Sequence, residues 1–363
     1  MQPVPAITYP LVISFAQPLV KTRRSAMIRY LFSFVLLLTL AISPAGAATQ
    51  INGAGATFPY PLYAKWFSEY AKIDPSVKFN YLVVGSSEGI KQITARAVDF
   101  GASDQYLTDD ELKAAPARLL HIPTVMGAVV IIYNLPGIGS GVRISPDDLA
   151  DIYSGKITRW NDPKLAECNP GVKLPDKPII VVHRSEGSGT TGILTDYLSG
   201  VNTLWAAKVG KGTSVKWPVG IGGKGNEGVA SLVKKTKYTI GYVDLAHAVQ
   251  NNLPYAHLKN RQGQFVEPSA SSITAAASGA MQAMPMDHRM VLVNQPGKDS
   301  YPIVGITWLL VYAQQKDKLK GIKLVQFLSW CLRDGQKLTA QLGYAPLPEG
   351  MAKAMEKTLQ EIR

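Results

Sequence analysis

Asn52-Gly53-Ala54-Gly55-Ala56-Thr57-Phe58-Pro59 runs directly into a stretch where Leu62, Tyr63, Trp66, Phe67 and Tyr70 share one helical face. The same arrangement, small residues opening onto an amphipathic helix, recurs twice. Gly85-Ser86-Ser87-Glu88-Gly89 precedes Ile90, Ile93 and Ala97, and Arg184-Ser185-Glu186-Gly187-Ser188-Gly189-Thr190 precedes Ile193, Leu194, Tyr197 and Leu198. Short apolar runs predict strands at Lys78–Val84, Leu119–Val125, Ala128–Tyr133, Ile179–His183, Thr239–Val243 and Ile303–Tyr312. Short apolar runs alternating with helical periodicity make an α/β protein. Leu319–Cys331 predicts an amphipathic helix with Arg333 at its end, whereas Ser269–Gly279 is small, polar and expected to be loose.

The chain has 363 residues, more than one hydrophobic core comfortably holds, so two lobes are expected. At 46% apolar and 18% charged residues, the body has the composition of a packed globule. Its N-terminus reads differently. Arg29 precedes an apolar run from Tyr30 to Ile42 that ends at Ser43-Pro44-Ala45-Gly46-Ala47-Ala48, the pattern of a cleavable export signal over residues 1–47. Met27 is a candidate start, and a membrane anchor is disfavoured because the apolar run is shorter than the ~20 residues a span needs. No cysteine follows the run, so a soluble periplasmic protein is expected.

Four of the positive charges, Lys21, Arg23, Arg24 and Arg29, lie in that segment with no acid, leaving +8 of the formal +12 on the rest. Only Lys234-Lys235-Thr236-Lys237 is densely basic, so nucleic-acid binding is not expected. Cys168 and Cys331 fall in different lobes under the division given below, and two unpaired, buried thiols are expected.

The chemistry concentrates in four small-residue loops: the three above and Gly101-Ala102-Ser103-Asp104. A helix N-terminus offers unpaired N–H groups and a partial positive charge, small residues let backbone approach an oxyanion, and Ser and Thr add hydroxyl donors. Helix capping alone explains any one such loop. Four in one chain, one carrying an arginine and one an aspartate, point to an oxyanion trap. Asp104 would repel a bound anion unless that anion brings a proton, as phosphate does and sulfate does not. Its competing role is to cap a turn. Arg184 offers planar donors to two oxygens, with Glu186 placed either to hold it or simply to pair with it.

Enzyme motifs fit poorly. Gly187-Ser188-Gly189 lacks the flanks of a nucleophile elbow, Gly223-Lys224-Gly225 lacks P-loop spacing, and His121, His183, His247, His257 and His288 lack metal-ligand spacing. Strand alternation turns His183 away from Arg184. No catalysis, metal or cofactor is expected.

Gly53–Pro59, Val98-Asp-Phe-Gly-Ala-Ser-Asp104, Asp151-Ile-Tyr-Ser-Gly-Lys156, Thr158-Arg-Trp160, Gly187–Thr190, Trp217-Pro218, Gly222-Gly-Lys-Gly-Asn226 and Ile240-Gly-Tyr-Val243 occur in one order. In them the chain resembles the periplasmic phosphate-binding proteins of phosphate-specific ABC transporters, along nearly its whole length after the N-terminal segment. The resemblance implies a type II-like solute-binding protein: two α/β lobes joined by crossover strands, phosphate buried in the cleft between them, and hinge closure. Crossings after Ala128–Tyr133, at Asn134-Leu135-Pro136-Gly137, and at Ser300-Tyr301-Pro302 would place lobe I at 48–131 plus 303–363 and lobe II at 132–302. The phosphate contacts implied are Ala56, Thr57, Phe58, Ser86, Asp104 as proton acceptor, Arg184, Ser188, Gly189 and Thr190, with Glu186 behind Arg184. The partners implied are inorganic phosphate and the membrane permease of an importer, met by a monomer. Two residues depart from the family pattern: Glu88, where glycine is usual, and Glu186, where aspartate is usual. Another tetrahedral oxyanion, or an extracellular phosphate scavenger or adhesion protein without a transporter, stands as the alternative.

Overall fold

The computed structural model describes residues 48–280 and 289–363; the expected signal segment and His288 lie outside them. Strands β1 (Thr49–Gly55), β2 (Val77–Val83), β3 (Phe100–Ser103), β4 (Leu119–Tyr133), β6 (Ile180–Arg184), β7 (Ile221–Gly223), β8 (Thr239–Asp244) and β11 (Val304–Tyr312) form one mixed sheet in the order β2-β1-β3-β11-β4-β8-β6-β7. The short β5 (Arg143–Ile144), β9 (His257–Lys259) and β10 (Phe265–Val266) form a second sheet. The helices that matter for the site are α1 (Tyr60–Ile73), α2 (Ser86–Thr94), α3 (Gly189–Val201), α4 (Gly225–Lys235) and α5 (Leu245–Gln250), with α6 (Ala270–Ala280), α7 (Lys318–Arg333) and α8 (Glu349–Leu359) further on. Among the described residues no helix is long and apolar enough to cross a membrane.

Strand β4 organises the molecule. Two runs, expected as separate strands, are one strand of 15 residues, buried throughout. At about 3.3 Å per residue it extends roughly 50 Å. Its first part pairs antiparallel with β11 up to Ala128, and from Val129 to Tyr133 it pairs with β8. Gly127 sits between the two runs because a side chain there would meet the Phe58 ring at 2.5 Å, so the glycine marks a close approach and not a break. Pro123 is accommodated where the β11 register slips between Thr307 and Trp308, leaving Thr124 as the extra residue of a bulge. The Thr124 hydroxyl donates to the Thr307 carbonyl at 3.0 Å, and the Tyr63 hydroxyl meets it at 2.7 Å.

The aromatic face of α1 is core, as its spacing indicates: Phe67 and Tyr70 pack on Phe327 of α7 together with Phe79 of β2, whose ring centroid lies 4.2 Å from that of Phe327. Two readings need correction. Ser269–Gly279 is not loose; α6 forms because its apolar Ile273, Ala276 and Ala277 face the core and Ser269 and Ser272 hydrogen-bond each other at the helix start. Phe100–Gly101-Ala102-Ser103 is a strand, β3, hidden in the sequence by its small residues. Both cysteines are unpaired; Cys331 is buried, but Cys168 is only partly so, its thiol pointing at Asp148 Oδ2 at 3.6 Å.

Candidate functional site

Four backbone segments converge on one buried spot. β1 delivers the loop Ala56-Thr57-Phe58 into α1, α2 begins at Ser86, β3 ends beside Asp104, and β6 ends at Arg184 with α3 starting five residues later. All the sequence-predicted contacts are brought together: Ala56, Phe58, Ser86, Ser188 and Thr190 have no exposed surface, and Asp104, Thr57 and Arg184 have 2–3%. Gly189 packs so close that a Cβ there would lie 2.4 Å from Ser86 Oγ and 2.6 Å from Asp104 Cβ.

The donors differ in how free they are. The Ala56 N–H is used by the Ala102 carbonyl at 2.9 Å, and the Ser188 N–H by the Thr213 carbonyl at 2.8 Å. Ser188 Oγ caps α3 by accepting from Thr191 N at 3.1 Å, which leaves its proton to give. Arg184 N donates to the Tyr242 hydroxyl at 3.1 Å. The Arg184 guanidinium, almost wholly buried, is held by Glu186 Oε1 through Nε at 2.8 Å and through Nη2. Such a pair keeps a buried charge from being uncompensated.

The same Glu186 oxygen accepts from Gly225 N at 3.0 Å, at the start of α4. The methylene that glutamate adds over aspartate thus lets one carboxylate hold both the arginine and a helix N-terminus. Glu88, the other departure, is turned to solvent with a side chain 41% exposed, taking a hydrogen bond from Gln92 and lying 3.7 Å from Lys91 Nζ. Its charge is answered outside the site. His183 is stacked on Trp217 at 5.0 Å. A cleft of about 400 Å³ opens on the Arg184–Glu186 pair between His183, Trp217 and Thr213–Val215.

Asp104 is the electrostatic centre. Burial pushes its carboxyl up to about 7, against the lowering effect of the Thr307 hydroxyl bond at 2.6 Å and the Arg184 charge; Asp244 raises it further, and Ser86 Oγ contributes a 3.4 Å bond. A carboxyl titrating near neutrality inside a ring of donors can take a proton from a ligand or give one.

Sequence reasoning missed a second layer. Asn226 has no exposed surface; its Nδ2 donates to Thr57 Oγ1 at 2.9 Å, and its Oδ1 accepts from Arg184 Nη1 at 3.4 Å. The motif Gly222–Asn226 carried the resemblance, but nothing in its composition distinguishes this asparagine from a helix cap. Behind it, Asp244 Oδ2 meets His247 Nδ1 at 2.5 Å and His247 Nε2 meets Glu227 Oε1 at 3.1 Å. Burial, the largest single influence, would lower the imidazole, but the Asp244 and Glu227 carboxylates together outweigh it and hold His247 up at about 10. The Tyr344 hydroxyl closes the layer by donating to the Phe58 carbonyl at 2.6 Å and lying 3.3 Å from Asp244. Ser87 Oγ meets Thr213 Oγ1 at 3.0 Å, so contacts across the site surround it on several sides.

Residues 43–334 match the model of the PBP superfamily domain. The chain is 45% identical over 338 residues to the phosphate-binding protein PstS of Pasteurella multocida, covering 92% of this chain and 95% of that one. It is 40% identical to the phosphate-binding protein PstS of Methanocaldococcus jannaschii, with 84% of each covered. Among solved structures, a phosphate binding protein from Stenotrophomonas maltophilia has the same fold, with a TM-score of 0.64 at 23% identity over 85% of this chain and 94% of that one. So does the periplasmic phosphate-binding protein PfluDING, with a TM-score of 0.67 at 21% identity over 85% and 93%. These confirm the expected two-lobed α/β architecture of a solute-binding protein. The chain belongs to the PBP superfamily, in the family of the phosphate-binding proteins PstS.

Proposed function

We propose that this protein binds inorganic phosphate between its lobes in the periplasm and delivers it to the membrane permease of an ABC importer. The observation that carries the reading is Asp104: one buried acceptor, titrating near 7, set among Arg184, hydroxyls and helix N-termini that donate. Such a set matches a tetrahedral anion that accepts at most of its oxygens and donates from one. The contacts are Thr57, Phe58, Ser86, Asp104, Arg184, Ser188, Gly189 and Thr190, with Ala56 shaping the loop and Glu186 fixing the arginine.

The pairing of β4 with β11 up to Ala128 and with β8 from Val129 supports lobe I as 48–131 plus 303–363 and lobe II as 132–302, with β4 and the chain before β11 as the crossovers. Bonds such as Thr57–Asn226 and Ser87–Thr213 then join the lobes in a closed form, and hinge opening breaks them. Export through residues 1–47 and action as a monomer complete the reading.

Isothermal titration with phosphate tests it. Saturable 1:1 binding of phosphate, lost in Arg184→Ala, is the expected result; no heat with phosphate, or equal binding in Arg184→Ala, refutes it.

A further inference from the structure

The direction of every hydrogen bond around Asn226 can be fixed from one residue that cannot accept. Arg184 has only donors, so the Asn226 atom facing Nη1 is the amide oxygen and the opposite atom is the NH₂ group. That NH₂ group donates to Thr57 Oγ1 at 2.9 Å and reaches Thr190 Oγ1 at 3.5 Å. Thr57 Oγ1 also accepts from Asn226 N at 3.3 Å, and Thr190 Oγ1 also accepts from Arg184 Nη1 at 3.3 Å. A hydroxyl has two lone pairs and one proton. In both threonines the lone pairs are engaged, and the single proton is left for another partner.

We infer that Asn226 is a positioning residue that sets the sign of the site, forcing the Thr57 and Thr190 hydroxyls to act as donors toward the bound anion. Left alone, a threonine hydroxyl can offer a lone pair as readily as a proton, and a lone pair aimed at an oxyanion repels it. Asn226 removes that freedom from one threonine before α1 and one in α3 at once, and its own place is fixed at the start of α4 beside the Glu186–Gly225 bond. The inference rests on the phosphate reading and adds to it the residue that makes the threonine shell donor-only.

The discriminating variant is Asn226→Asp. A carboxylate at this position accepts from the two hydroxyls, turns their lone pairs inward and adds a negative charge. Measured by phosphate titration at pH 8, Asn226→Asp is expected to lose at least about 100-fold in affinity, and Asn226→Ala, which frees the hydroxyls without reversing them, about tenfold. The gap between wild type and Asn226→Asp narrows as pH falls, because a protonated carboxyl donates again.

Equal losses in the two variants with no pH dependence, at unchanged melting temperature, would reduce Asn226 to a packing residue and overturn the inference. Should Asn226→Asp not fold, a cycle with Thr57→Ala decides. The Asn226→Ala loss shrinks in that background if the amide acts through Thr57, and full additivity refutes it. Wild-type protein serves as the control: if it does not bind phosphate, the functional reading fails, whereas wild-type binding with an indifferent Asn226 sinks only this inference.

Discussion

Sulfate is the sharpest probe of Asp104, because it matches phosphate in shape but has no proton to give. Against an ionised Asp104 at about 4 Å, with an effective dielectric near 20, each unit of charge costs about 4 kcal/mol. That is close to a thousandfold in affinity. The protein has a cheaper route. Asp104 titrates at about 7, so protonating it before sulfate binds costs about 1.4 kcal/mol at pH 8 and about 2.7 kcal/mol at pH 9.

Sulfate therefore selects the protonated form, and its affinity should be flat below about pH 6 and fall about tenfold per pH unit above 7. Phosphate carries its own proton and escapes this slope, so discrimination widens as pH rises. Asp104→Asn keeps an acceptor for Thr307 and supplies a permanent donor, which should abolish the slope and raise sulfate affinity about 100-fold at pH 9. Isothermal titration of both variants with both anions from pH 6 to 9, at fixed ionic strength, reads this directly. A pH-independent sulfate affinity in wild type, or the same slope in Asp104→Asn, would refute the reasoning.

Gly189→Ala should cut phosphate affinity at least about 100-fold, because its Cβ would press into Ser86 and Asp104 at 2.4–2.6 Å. Denaturant melts should show a smaller stability cost, about 1–3 kcal/mol for the local overpacking. His247→Leu leaves the buried Asp244 unpaired and should cost about 3–5 kcal/mol near pH 6. The folded imidazole is raised from its unfolded value of about 6.5 to about 10. Its charged-state contribution is thus complete below about pH 6.5 and lost as pH rises through 10, and the difference in unfolding free energy between wild type and variant should shrink over that window.

Local sequence made the first layer of the candidate site readable. Loops of small residues before periodic apolar faces mark helix N-termini, and Arg184 and Asp104 stand out as charges placed among them. Such signals sit within a few residues of one another. Glu186 was legible as the partner of Arg184 for the same reason, two positions away. Its second bond, to Gly225 N, was not, because it spans 39 residues.

The elements followed the same division. The chain fixed the α/β class, the aromatic core face of α1 and the helix after Gly187-Ser188 through periodicity and capping, which are short-range properties of the backbone. β3 escaped because Gly101, Ala102 and Ser103 carry no apolar signal; it is a strand because β1 and β11 flank it and use its backbone. β4 read as two strands because Gly127 interrupts the apolar run, and only the Phe58 and Tyr344 rings packed against it in the fold explain that glycine.

What the sequence determined alone was the kind of group gathered, donors with one acid. What tertiary structure decided was their state. Burial raises Asp104 to about 7, Arg184 orients Asn226, and Asn226 orients two threonines contributed by segments over 100 residues apart. Protonation and hydrogen-bond direction depend on what surrounds a group in space, and no order of residues along the chain encodes that until the chain has folded.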